Sequence, residues 1–516
     1  MTLKRDVYKA LEDVVGPEYI SEDPVILDSY AWRSGMATLH DRFVPRYEAV
    51  TLPQNTAEVQ AIVKLCNKYK TQFVASSTGW GCYCDPAGPG VVKMDLRRMN
   101  RILEINEKNM YAACEPYVIF AELQAEVMKR GLICNITGAG SNCSAMPLAA
   151  HQGIGHMSQS LSYGDRNLLA VEWVTPEGEI VRLGSLGSLG EWFGGDGPGP
   201  SLRGIIRGNT TPLGGLGVFT KAAQKLYHWP GPAVFPVEGV SPNYTPSHIP
   251  PGFMYRYISW PSLEKLTEAV YKIGMSEIAF EVMGFNPGMI ASNIATNNVE
   301  DKQLLDEFTR LVQGPGSVVI IAANSQRDYE YETRVLQQIL DETDGKSLEP
   351  VEKNFKYNAG ALWRCIRITA SIRETCRSSG CFAGEVGGTD VFSLMATYIN
   401  RSQPVKKEFI AKGLVRNDGL IPFVQSIEHG HQGHAEVLNR YFQSKETADG
   451  VMAFVGEANK AAIQDHFGVP AHVWSDDAHD MFGPHTSNYH LWLREIKKKF
   501  DPNAASESSH YISAKE

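Results

Sequence analysis

The chain has 516 residues, 43% hydrophobic and 21% charged, more than one hydrophobic core ordinarily supports, so two domains or one large domain with a substantial insertion is expected. Its 49 basic and 58 acidic side chains leave a net charge of −9, which argues against nucleic acid or an anionic membrane surface as the main partner and for a small-molecule substrate. The opening MTLKRDVYKALEDVVG lacks the apolar run of a secretory signal, and the nine cysteines form no CxxC pair, so reduced thiols in a cytoplasmic protein are expected.

In chain order, Thr56 to Tyr69 places Val59, Ile62, Val63 and Cys66 on one helical stripe, and Phe73 to Ala75 reads as the strand that follows it. That strand runs into a loop of small residues, Ser76-Ser-Thr-Gly-Trp-Gly81. Strands are then expected over Val91 to Asp95, Arg101 to Ile105 and Met110 to Glu115, with a helix over Ile119 to Lys129. A long stretch rich in glycine and serine, Gly138 to Gly164, precedes a hairpin of Leu169 to Val174 and Glu179 to Leu183 turned by Thr175-Pro-Glu-Gly178. The proline-rich Trp229 to Pro251 reads as a linker. Beyond it strand and helix patterns alternate: strands at Phe253 to Ser259, Ile278 to Met283 and Val318 to Ala322, helices at Leu263 to Ile273, Asp301 to Val312 and Tyr329 to Thr343. That pattern suggests an antiparallel sheet with helices on one face, and Asp501 to Glu516 reads as a surface tail.

Two loops are candidates for cradling a pyrophosphate, Ser76 to Gly81 and Gly138 to Gly155, because glycine lets backbone N–H groups close on phosphate oxygens without Lys or Arg. Either loop alone could equally be a turn. No Walker A pattern and no GxGxxG opening a helix after a strand occurs. Four segments in order resemble a different arrangement. These are Ser77-Thr-Gly79 with Met94 to Leu103; Cys114-Glu-Pro-Tyr-Val118; Gly153-Ile-Gly155 with Tyr163-Gly-Asp165 and Val171 to Gly178; and Gly208 to Thr220. Together they resemble the FAD-binding domain of the vanillyl-alcohol oxidase and p-cresol methylhydroxylase superfamily, which also includes D-lactate and glycolate dehydrogenases and alkylglycerone-phosphate synthase. The resemblance implies an α+β fold: a two-part FAD-binding domain of the p-cresol methylhydroxylase type, over 1–235, and an antiparallel-sheet α/β cap for the substrate, over 236–470. A segment over 471–516, with Asp501-Pro-Asn503 in it, would return to the first domain. By the same resemblance FAD would be held by Ser76, Ser77, Thr78, Gly79, Trp80, Gly81, Pro116, Gly153, Gly155, Tyr163, Gly164, Gly214, Gly217 and Val218.

The segment in the cap that stands out is Glu428-His-Gly-His-Gln-Gly-His-Ala-Glu436, three histidines and two carboxylates within nine residues. On a strand, alternate residues share a face, so such a run can supply a general base or a metal-ligand set; a solvated polar loop would carry the same residues. His429, His431, His434 and Asp165 are the catalytic candidates, Asp165 through its Tyr-Gly-Asp position, where an ordinary turn aspartate is the alternative. His431, His434 and Glu436 are candidates for a divalent metal, since His431-Gln-Gly-His434 resembles a shortened form of the metal-holding segment of some hydroxy-acid dehydrogenases. The Ser-Thr-Gly loop is more similar to the phenol-oxidising branch, whose Tyr-Arg pair is nonetheless replaced here by Ala471-His-Val-Trp-Ser475. A covalent flavin link would fall to Cys82, Cys84, His151 or His156. The resemblance thus implies a flavin-dependent oxidase or dehydrogenase that oxidises an aromatic alcohol or hydroxy acid by hydride transfer to FAD. Oxygen or a redox protein would be the electron acceptor, and a homodimer is the default assembly. A metal-assisted 2-hydroxy acid dehydrogenase, a non-redox FAD enzyme of the alkylglycerone-phosphate synthase type and a binding protein stand as alternatives.

Overall fold

The computed structural model describes residues 3–31, 45–78, 86, 88–136, 140–148, 159–162, 164–195, 200–208, 211–238, 245–353, 384–420, 422–442, 444–467 and 473–515. The first part of the chain builds two sheets. In the smaller, Ala49–Thr51 and Gln72–Ser76 both run parallel to Val91–Asp95 between them, with Ile20–Ser21 at the edge. Parallel neighbours need a crossover, and the helix Thr56–Tyr69 supplies it, burying the predicted stripe of Val59, Ile62, Val63 and Cys66. Asn55 starts this helix by accepting from the Glu58 N–H at 2.9 Å, and Lys70 stops it at φ 54°.

The second sheet is antiparallel, in the order Ile102–Asn106, Tyr111–Cys114, Val218–Lys225, Leu168–Val174, Ile180–Leu183. The expected hairpin closes it. Glu172 ties the second sheet to the crossover helix, accepting from Thr56 Oγ1 at 2.7 Å, Lys221 Nζ at 2.8 Å and Arg182 Nε at 2.9 Å. Burial by itself would raise this carboxyl, but hydrogen bonds from Lys221, Thr56 and Arg182 hold it below the ordinary carboxylate range.

The cap is one seven-stranded antiparallel sheet, ordered Lys346–Ser347, Phe253–Ser259, Gly316–Ala322, Glu281–Phe285, Phe423–Ile427, Gln432–Asn439, Gly384–Asp390. Its two faces sort by alternation. Val282, Val319, Ile321, Val424 and Ala435 pack against the helices Leu263–Met275, Gln326–Thr343, Leu394–Ala411 and Lys445–Gln464. Met283, Phe285, Val318, Ile320 and Phe423 face the other way and join the core that continues into the second sheet. The helices Pro287–Ile294 and Asn298–Leu311 add Ile290, Ala291, Leu304, Leu305 and Phe308 to that second core, so helices are not confined to one face as the strand and helix pattern suggests.

One further expectation needs correction. Residues 501–515 are no surface tail: Ser506 and Ile512 are fully buried, the Phe73 N–H donates to the Ala505 carbonyl at 2.9 Å, and the Glu507 N–H donates to the Phe73 carbonyl at 2.9 Å. Lys497, buried beside Asp501, reaches the carbonyls of Gly215 at 2.7 Å and Ser506 at 3.0 Å, so the end of the chain is stitched into the first sheet. At the start of the proline-rich stretch, Trp229 packs on Phe253 and Phe280 at ring distances of 5.6 and 5.8 Å. Among the described residues no helix is long and apolar enough to cross a membrane.

Candidate active site

The face of the cap sheet turned toward the first part of the chain carries a few polar side chains among apolar ones, three of them in one cross-strand row. Register sets that row: Thr389 and Gln425 lie on either side of His434, and Gln425 is in turn opposite Met283. His434 is fully buried, with Nδ1 at 2.8 Å from Thr389 Oγ1 and Nε2 at 2.6 Å from Glu436 Oε1. Two residues apart on one strand, His434 and Glu436 share a face, and the odd-numbered neighbour Gly433 packs against Phe392 and Met395 beneath. Glu436 keeps 17% of its side chain accessible, so it is the outer member of the pair.

Two residues before Met283 on the same strand face, Glu281 is entirely buried, with Gln425 Nε2 at 3.5 Å from its Oε1 and Oε2 without a partner among the described residues. Burial pushes its carboxyl well above the ordinary carboxylate range, outweighing the hydrogen bonds from the Val282 backbone and Gln425, and so favours its neutral form. Neither Glu281 nor Gln425 stands out by motif. The available signal was a carboxylate inside the apolar run Ile278-Ala-Phe-Glu-Val-Met283.

Of the histidine cluster, only His434 lies on a strand. The expected strand from Glu428 is corrected: residues 428–431 form the turn between Phe423–Ile427 and Gln432–Asn439. Glu428, His429 and Gly430 have φ of 50°, 56° and 81°, which reverses the chain before any alternation of faces begins. His429 and His431 are thus not placed beside His434. Glu428 instead reaches the first part of the chain, accepting from Ser162 Oγ at 2.5 Å and from the Arg166 guanidinium. Asp165 lies in the short 3-10 turn Gly164–Asn167 next to that contact.

Among the described residues no three His, Cys, Asp or Glu side chains gather as a metal site. Both ring nitrogens of His434 are already engaged, and Glu436 is one of the groups engaging them. The set His431, His434 and Glu436 therefore does not fit a divalent metal in this arrangement.

The residues present do fit FAD. Strand Gln72–Ser76 ends with the Ser76 carbonyl accepting from Leu96 N–H at 3.0 Å, leaving Ser77 and Thr78 as the first residues beyond the ladder. The turn at Pro116 meets the second glycine-rich loop, since Phe120 N–H donates to Cys143 carbonyl at 3.0 Å and Ser144 Oγ donates to the Pro116 carbonyl. In the segments flanking the second glycine-rich loop, both amide atoms of Gln159 and Asn135 Oδ1 are buried without a partner among the described residues. Buried groups of this kind call for a polar ligand or ordered water. Gly214 and Gly217 have φ of 90° and 81°, and a Cβ on Gly217 would stand 2.2 Å from the Val174 carbonyl oxygen. Close packing of the chain on itself, with Val218 opposite Val174, already accounts for that glycine. Gly79, Trp80, Gly81, Gly153, Gly155, Tyr163, Cys82, Cys84, His151 and His156 lie outside the described residues.

Residues 47–184 match the family model described as an FAD binding domain. The chain is 29% identical over 209 residues to 1'-carboxy-chondrochloren decarboxylase of Chondromyces crocatus, covering 38% of this chain and 36% of that protein. It is 28% identical over 229 residues to glycolate oxidase subunit GlcD of Bacillus subtilis, covering 43% and 45%. The matched stretches thus span less than half of these relatives. Over nearly the whole chain the fold is similar to 4-ethylphenol oxidase from Gulosibacter chungangensis, with a TM-score of 0.74 at 19% identity, covering 99% of this chain and 97% of the other. It is similar also to p-cresol methylhydroxylase, with a TM-score of 0.73 at 15% identity, covering 100% and 99%. The chain therefore carries an FAD-binding domain and has the p-cresol methylhydroxylase type of fold.

Proposed function

We propose that this chain is an FAD-dependent oxidoreductase that oxidises a small organic substrate, an aromatic alcohol or a hydroxy acid, with the His434–Glu436 pair taking the substrate proton. The observation that carries this reading is the buried His434–Glu436 pair, set on the face of the cap sheet that looks toward an FAD-binding domain. When bound, the flavin supplies the hydride acceptor. Contacts at both ring nitrogens, Nε2 to Glu436 and Nδ1 to Thr389, fix the imidazole and the carboxylate relative to each other. Glu436, as the accessible member, meets the substrate hydroxyl and receives its proton. The surrounding apolar residues Met283, Val318, Ile320 and Phe423 keep water from that transfer.

Redox chemistry is also what the names of 4-ethylphenol oxidase and the glycolate oxidase subunit indicate for those proteins. The net charge of −9 and the free, buried Cys66, Cys114, Cys134 and Cys143 support placing the protein in the cytoplasm, with a homodimer as the default assembly. The test is anaerobic mixing of the FAD-loaded protein with para-alkylphenols, benzylic alcohols and D-2-hydroxy acids while flavin absorbance is followed. At least one class should bleach the flavin, and His434→Ala should keep FAD bound while slowing bleaching by roughly a hundredfold or more. An unchanged rate removes His434 from the mechanism. A flavin that no member of the panel reduces favours a non-redox role, as in alkyldihydroxyacetonephosphate synthase, whose fold is also similar with a TM-score of 0.63.

A further inference from the structure

The turn that carries His429 and His431 does its work through Glu428. We propose that Glu428 is a positioning residue: held by Ser162 and Arg166, it locks the strand bearing His434 and Glu436 onto the segment beside the flavin site. This rests on the functional reading above for what is positioned, but the lock itself is geometric.

Three contacts bind the turn to residues 159–166. Ser162 Oγ donates to Glu428 Oε1 at 2.5 Å, the Arg166 guanidinium pairs with Glu428 Oε2, and the His429 N–H donates to the Gln159 carbonyl at 2.8 Å. A fourth contact lies nearby, Ser160 Oγ to the Phe280 carbonyl at 2.8 Å, next to Glu281. Ser162 is itself immobilised. Its N–H donates to Tyr227 Oη at 3.1 Å, and its carbonyl accepts from Asn135 Nδ2 at 2.7 Å and Asn167 Nδ2 at 3.1 Å. A rigid node on one side thus meets a strained turn on the other, since two successive non-glycine residues, Glu428 and His429, hold positive φ. The turn has little room to relax: a Cβ on Gly274 of the helix Leu263–Met275 would stand 2.3 Å from the His429 carbonyl oxygen. Only Gln432 and Gly433 separate the end of the turn from His434, so a shift at Glu428 is transmitted directly to the acid–base pair.

Arg166 and Glu428 keep 44% and 23% of their side chains accessible, so each can be changed without opening a core. The test uses Glu428→Gln, Arg166→Met and the double variant as FAD-loaded proteins. Hydrogen exchange is followed over 159–167 and 427–433, and quenching of flavin fluorescence by iodide is measured beside it. Both single variants should speed exchange in those two segments by about tenfold while the helix Lys445–Gln464 is unaffected, and the double variant should be no worse than either single one, as coupled partners require. Iodide should quench the flavin more strongly in each. Where a substrate is in hand, flavin reduction should slow by roughly ten- to a hundredfold, the scale of a small misplacement of reacting groups, with FAD content unchanged. Unchanged exchange and quenching in both single variants, or fully additive effects in the double one, overturns the lock. A wild-type flavin that no substrate reduces overturns the functional reading instead, and the exchange measurement still decides the lock.

Discussion

Replacing Glu281 by Gln isolates what a buried neutral acid does to stability. In the unfolded chain its carboxyl has an ordinary pKa of about 4.3. In the folded protein burial raises it well above that value. The folded state therefore holds a proton that the unfolded state releases, and stability is complete below the ordinary pKa and falls as pH rises toward the folded one. The loss is at most about 1.4 kcal/mol for each pH unit in that window. Glu281→Gln keeps the shape and cannot titrate, so the difference between variant and wild type should grow in the variant's favour with up to that slope. All other titrating groups cancel in the difference. The structure provides little to offset the effect, because Oε2 has no partner among the described residues and the contact from Gln425 is 3.5 Å long. Denaturant unfolding of the FAD-loaded proteins at several values between about pH 5 and about pH 8 measures it. A difference independent of pH would show that Glu281 ionises normally and that its burial is compensated.

Two further substitutions probe the scaffold. Gly217→Ala should lose at least about 1–2 kcal/mol, because residue 217 has φ 81° and the added carbon would lie 2.2 Å from the Val174 carbonyl oxygen; a thermal midpoint equal to wild type would mean the Val174 to Pro176 backbone gives way. Lys497→Met leaves Asp501 buried with only the N–H groups of Ala505 and Ser506 as donors, at 2.8 and 3.1 Å. Breaking a buried pair from one side costs about 3–5 kcal/mol, to be read from the denaturant midpoint, and a loss below about 1 kcal/mol would show that those two backbone donors satisfy the carboxylate.

Much of the fold is legible where one periodicity dominates. The stripe of Val59, Ile62, Val63 and Cys66 marks the crossover helix, and the strands Val91–Asp95 and Phe253–Ser259 appear with the predicted limits. Legibility fails where long-range pairing decides. Composition alone makes Asp501 to Ile512 read as a tail, and the resemblance around Asp501-Pro-Asn503 implies a return to the first domain without saying that Phe73 is its partner. The same limit applies at the site. Clustering draws attention to His429, His431 and His434 alike, but one strained turn sends the first two away and leaves the third facing the flavin domain. Glu281 and Gln425 acquire meaning only through cross-strand register, which no single segment encodes.

The buried return of the chain also bears on the order in which the molecule can form. Strand Gln72–Ser76 emerges early in synthesis, yet its outer edge is completed by Ala505 and Glu507. At about 5–20 residues per second, the ribosome needs on the order of half a minute to a minute and a half to deliver those partners. Throughout that interval the early sheet presents an unpaired parallel edge, the kind of surface on which nascent chains associate wrongly. The cap, whose sheet runs from Phe253 to Asn439, can close on itself before then. The early sheet is thus begun well before its last strand partner is supplied.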